Sequence, residues 1–143
     1  YLVNTIKVAV ENYNLSEDKK EKSGLKYGIK HLMRQVPHPP QLWSVEAKKF
    51  ADKNNIPYDL TWHQQPKYDP GRKNLLAEHK VPLEEVFKKL LKDPNNAEQI
   101  LLNNNTIVWV TKEEDSRLTK LGYRSNRPDP DKAYEEAGIQ IVF

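Results

Sequence analysis

The 143-residue chain contains no cysteine. Disulfides, thiolate zinc sites and cysteine nucleophiles are therefore excluded. Glycine is scarce, at five scattered residues, and no G-x-x-x-x-G-K-[ST] phosphate loop can be built from them. No G-x-S-x-G elbow is present. The four histidines show neither H-x-x-x-H nor H-E-x-x-H spacing, which argues against a zinc protease. No apolar stretch approaches the roughly 20 residues of a membrane helix, and no signal peptide is visible. Charge of one sign is barely in excess: 23 Lys and Arg against 20 Asp and Glu leave +3, which permits nucleic-acid binding without requiring it. The chain opens on Tyr1 and not on Met. The expectation is a fragment, a processed product or a trimmed domain, soluble, and either cytoplasmic or delivered outside the cell.

What is present fits one solvated domain with a real core. Apolar residues make up 37% and charged residues 30%, and both are spread along the chain, so no disordered tract stands out. Val3, Ile6, Val10 and Tyr13 follow helical spacing. Ser16 is expected to cap a second helix, with Glu17 and Asp18 in its first turn. Leu25, Ile29, Leu32 and Met33 form the apolar face of that helix. Lys22, Lys26, Lys30 and Arg34 recur every four residues on another face, a basic stripe about 18 Å long from a rise of about 1.5 Å per residue. A phosphate backbone can lie along such a stripe; a solvated helix face is the competing reading.

Pro37, Pro39 and Pro40 end that helix. Another begins near Ser44, with Trp43, Ala47, Phe50 and Ala51 facing inward, and Asn54-Asn55 closes it. A short strand is expected over 56–62. Residues 63–73 read as a polar loop with two prolines and a glycine. The loop carries Lys67, Tyr68, Arg72 and Lys73 directly after Trp62, a mixture suited to phosphate contacts and base stacking. A plain surface loop is the alternative.

Leu83, Val86, Phe87, Leu90 and Leu91 match an amphipathic helix in full. Asp93-Pro94 breaks it, and a short helix follows over 97–102. Thr106 to Thr111 is the clearest strand. Thr111 and Glu114 make a T-x-x-E capping box for the next helix, which Gly122 stops. Asp129 or Asp131 opens a last helix that Gly138 ends, and 139–143 reads as a terminal strand. The predicted core is Leu83, Phe87, Leu90, Leu91, Ile107, Trp109 and Leu118. Together these elements predict a helix-rich α+β domain with a small antiparallel sheet. It divides into a helical part with a basic loop (1–73), a strand–insertion–strand–helix unit (74–121) and a tail (122–143).

The chemically pointed stretch is Asn74-Leu75-Leu76-Ala77-Glu78-His79-Lys80-Val81-Pro82. An acid and an imidazole at a strand end can serve as a metal ligand beside a general base. Imidazole with an ordinary pKa near 6.5 is a competent base at neutral pH, and carboxylates suit Mg²⁺. The bland alternatives are a hydrogen-bonded structural histidine, a surface acid at Glu78 and a purely capping Glu114. His63, beside Trp62, can enter such a site from outside the motif.

This strand–insertion–strand–helix order, with Glu78-His79 followed by Pro82, resembles the ββα-metal core of the HNH nuclease superfamily over residues 74–121. The resemblance implies Glu78 as ligand of a divalent metal, Mg²⁺ being expected, and His79 as general base. It implies a family asparagine at Asn104 or Asn105 and a helix ligand at Glu113 or Glu114, with Asp115 adjacent. An acid there departs from the family's usual His, and the insertion between the strands is longer than the compact core needs. The function so implied is metal-dependent hydrolysis of phosphodiester bonds in DNA or RNA. By analogy alone, a small basic domain of this kind also suits a toxin matched by an acidic immunity or inhibitor protein. The alternatives are a non-catalytic nucleic-acid-binding domain, with Lys22–Arg34 and the 63–73 loop on phosphates, and a protein-interaction domain.

Overall fold

The computed structural model describes residues 1–143. Two long helices open the chain, α1 (Leu2–Leu15) and α2 (Lys19–Met33). The elements that follow are β1 (Leu42–Trp43), α3 (Val45–Lys53), a single turn α4 (Gln65–Tyr68), a 3-10 turn (Pro70–Arg72) and β2 (Leu75–His79). Then come α5 (Leu83–Lys92), a 3-10 turn (Pro94–Asn96), α6 (Ala97–Asn103), β3 (Ile107–Thr111), α7 (Lys112–Lys120) and α8 (Pro130–Glu136). This is the helix-rich α+β architecture expected. No helix is long and apolar enough to cross a membrane.

Local chemistry explains most element ends. Asp18 caps α2, its carboxylate accepting from the Lys20 and Glu21 amides; Ser16, expected there, instead closes α1. Both side chains are suited to the role, and the later one leaves its carboxylate beside the positive helix terminus. Ser44 caps α3 and Asp129 caps α8. Thr111 and Glu114 form the reciprocal capping box that starts α7. Gly122 and Gly138 take positive φ just past α7 and α8, where a Cβ would be strained.

The sheet has three strands in the order β1-β3-β2. β2 runs antiparallel to β3, with Leu75 opposite Thr111 and His79 opposite Ile107. β1 runs parallel to β3, so the sheet is mixed and not purely antiparallel. β3 sits between its neighbours with both faces covered, which is why Ile107, Val108, Trp109 and Val110 are all buried. No strand forms over 56–62: Ile56 and Leu60 anchor turns against Trp43 and Trp109 instead. At the end of the chain the expected strand is reduced to one antiparallel bridge between Ser44 and Ile141.

Three apolar clusters hold the fold. The first joins α1, α2, α5 and α6 through Ile6, Val10, Ile29, Met33, Phe87, Leu90 and Leu101. The other two lie on opposite faces of the sheet. Trp43, Ala47, Ala51, Leu75 and Trp109 pack under α3, with the two indoles stacked at 5.7 Å. Val108, Val110, Leu118, Ala133 and Tyr134 pack under α7 and α8. Of the predicted core, Phe87, Leu90, Ile107, Trp109 and Leu118 are buried, and Leu83 and Leu91 are partly so.

Candidate functional site

The site is built on the end of β2. Successive strand side chains point to opposite faces. Leu76 and Glu78 therefore turn toward α7 and α8, while Leu75, Ala77 and His79 turn toward the α3 side. The pleat thus separates the acid from the imidazole beside it in sequence.

Glu78 is buried and fully engaged. Arg127 Nη2 lies 2.6 Å from its Oε1, and the Tyr134 hydroxyl donates to its Oε2. Burial pushes the Glu78 carboxyl up, against the opposing pull of Arg127 and Tyr134, and the negative charge of Asp115 on α7 adds to the rise. Burial and the adjacent carboxylate drive the Tyr134 phenol far above its ordinary value. Arg127 also donates to the carbonyls of Tyr123 (3.0 Å), Lys80 (3.0 Å) and His79 (3.2 Å). One buried guanidinium therefore ties the tail, α8 and the end of β2 together.

His79 is half-buried on the other face. Burial pushes its imidazole down to about 4, helped by the charges of Arg34 and His38. It is therefore neutral at pH 7, the form that accepts a proton, and a weaker base than the ordinary imidazole expected from the sequence. Asn105 is buried at the same end, since the Lys80 amide donates to the Thr106 carbonyl at 3.0 Å. Its Nδ2 donates to the Val36 carbonyl at 3.2 Å and to that of Pro37, which brings the segment after α2 to the edge of the sheet. The fold thus gathers His79, Asn105, Arg34 and His38 at one end. Asn104 turns away: its Oδ1 accepts from Lys89 and its Nδ2 donates to the Ile100 carbonyl.

The acids of α7 do not join Glu78 in a metal cage. Glu113 is exposed and lies 3.9 Å from Arg117. Glu114 is buried, accepting from Ser44 Oγ at 2.6 Å and from the Thr111 amide at 2.9 Å; its second oxygen has no protein partner. No group of three or more His, Asp or Glu side chains is placed to hold a metal ion. The donors present, with Glu78 occupied by Arg127 and Tyr134, do not fit the divalent ion that the resemblance calls for.

The basic stripe is largely turned inward. Lys26 and Lys30 both pair with Glu84 of α5, Lys26 lies over the Phe87 ring and Lys22 over that of Tyr13. Arg34 alone of the four is exposed.

The 61–74 segment is ordered by Asp69. Its buried carboxylate accepts from the Asn74 and Leu75 amides (3.1 and 2.9 Å), from Asn74 Nδ2 (2.9 Å) and from Gln65 Nε2 (3.1 Å). Arg72 is not free for phosphate. Its guanidinium lies 3.6 Å from the centre of the Trp62 ring and donates to the Trp62 carbonyl and to Gln65 Oε1. Lys67 and Lys73 are exposed; Lys67 lies over the Tyr68 ring at 5.5 Å, and the Lys73 side chain runs beside Gly71.

Sequence reasoning passed over Arg127, Tyr134 and Asp69. Nothing local marks Arg127 in a tail of mixed charge; only the buried acid it meets, far away in sequence, gives it a role. Asp69 carried a weak signal, an acid before a Pro-Gly turn. Compared with family models, curated proteins and solved structures, the chain matches none.

Proposed function

We propose that this domain hydrolyses phosphodiester bonds of nucleic acid, DNA first and RNA as the other candidate, with His79 as general base. One observation carries the reading: β2 and β3 pair antiparallel over their full length and run on into α7, with His79 at the end of β2. That is the ββα arrangement the HNH resemblance calls for, despite the helical insertion between the strands. In this role the neutral imidazole takes a proton from the attacking water as the new P–O bond forms and the ester P–O bond breaks, the leaving oxygen takes its proton from solvent, and Arg34 supplies positive charge beside the phosphate. Asn105 positions the segment that carries Arg34. Because the donors do not fit a divalent ion, no step runs through one.

The test is incubation of plasmid and total RNA with wild type and His79→Ala at matched folded concentration, each with Mg²⁺ or with EDTA. Wild type is expected to cleave, and His79→Ala to lose about 10²–10⁴-fold in rate, the usual effect of removing a general base. Cleavage that persists in EDTA assigns charge stabilisation to the protein. Cleavage that needs Mg²⁺ overturns the assignment of charge stabilisation to the protein alone. No nicking by wild type in any arm, or equal nicking by both proteins, ends the reading. The engagement of Glu78 by Arg127 and Tyr134 favours a second one, a nucleic-acid-binding domain in which Glu78 is structural.

A further inference from the structure

We propose that Trp62 is a stacking platform for an unpaired nucleobase, so that the nucleic acid this domain takes is single-stranded at the point of contact. The proposal rests on the nucleic-acid reading above and adds the substrate class to it.

Trp43 and Trp109 are fully buried, whereas Trp62 is 53% exposed. Its ring is nevertheless fixed. The Arg72 guanidinium lies over the ring, 3.6 Å from its centre, and is itself held by the Trp62 carbonyl and by Gln65 Oε1, at 2.6 and 2.9 Å. His63 meets the ring edge-on at 5.3 Å. With Arg72 over the ring and half the residue still exposed, indole surface remains open to solvent.

The backbone is organised to hold this arrangement. Arg72 adopts φ 52, directly after Gly71 at φ 70. A left-handed conformation is unfavourable for a residue with a Cβ and persists only where its surroundings enforce it. Here the Asp69 hydrogen bonds to Asn74, Leu75 and Gln65 enforce it. The result is an exposed indole backed by a cation, on a segment that also carries the exposed Lys67 and Lys73. Base stacking on an aromatic with nearby lysines on the backbone is how unpaired strands are held without sequence preference. A duplex keeps its bases stacked on one another and offers no free face.

Trp62 is the only exposed indole, so the part of the emission that is missing in Trp62→Phe is its own, and quenching of that part reports occupancy. Oligothymidylate and oligouridylate of about a dozen nucleotides, and a DNA duplex of the same length, are titrated into the protein in EDTA. Both single strands, or one if the sugar is read, should quench the emission well before the duplex does. Anisotropy of labelled oligomers should show about tenfold weaker binding by Trp62→Ala, with Trp62→Phe retaining most of the affinity. Lys67→Gln with Lys73→Gln should lower the salt dependence by about one unit of slope per lysine. Absence of quenching, equal quenching by duplex, or an unchanged affinity in Trp62→Ala overturns the proposal. Repeating the titration with His79→Ala separates the two readings. Quenching by that variant supports the platform whether or not wild type cleaves, and cleavage without quenching overturns the platform alone.

Discussion

Asp69 shows how much one carboxylate in a loop can decide. Burial alone would push its carboxyl up; the donors from Leu75, Asn74 and Gln65 outweigh that and hold it below the ordinary 3.8. A depressed folded pKa adds stability above the unfolded value, and that stability is lost as pH falls through the folded value. Asp69→Asn replaces one acceptor oxygen with a donor that faces other donors, and should cost about 2 kcal/mol at pH 7. The gap between wild type and variant should narrow as pH drops below 3.8. Urea denaturation at neutral and acid pH measures both, and a gap of constant size would show that the carboxylate charge is irrelevant. At this scale the sequence was hard to read. A Pro-Gly turn announces a loop, but not that one acid within it gathers four donors or forces Arg72 into a left-handed conformation.

Among the elements, those whose signal is local were legible. α5 repeats its apolar residues with helical period, and α7 carries its own capping box. β3 is a β-branched and aromatic run that no helix packs well. What depended on distant partners was not legible. β1 is two residues long and exists only because β3 lies beside it. The 56–62 stretch has a strand-like composition, yet its apolar residues are drawn into turns beneath the tryptophans. α2 makes the same point about function. Its lysines look like a phosphate track when the helix is considered alone, but Glu84 of α5 meets two of them. The pull of Lys30 on Glu84, chiefly by hydrogen bonding, lowers that carboxyl. Replacing Lys26 and Lys30 together with Gln should cost about 1 kcal/mol, since the pairs are part-exposed and their stems cover apolar surface. It should leave the salt dependence of nucleic-acid binding unchanged, whereas Arg34→Gln should reduce it. A drop in slope for the double variant would restore the stripe as a binding face.

Across the whole molecule, one side chain connects parts that are far apart in sequence. Arg127 stands in the segment between α7 and α8, is almost fully buried, and meets Glu78 of β2, the Tyr134 ring of α8 and three backbone carbonyls. A buried ion pair gains little over apolar residues of equal volume, because desolvation offsets the attraction; removing one partner is different, because the other charge is left buried alone. Arg127→Ala should therefore cost about 3–5 kcal/mol. Combining it with Glu78→Gln should cost clearly less than the sum of the two single changes, because the stranded charge is gone. Denaturation midpoints of the four proteins measure this coupling directly. Limited proteolysis should show the tail beyond Gly122 released first in Arg127→Ala, since α8 then loses one of its ties to the sheet. Strict additivity would mean that Arg127 acts through packing alone. It would also remove the main physical reason for treating Glu78 as structural, and so shift weight back to a metal-binding role for that carboxylate.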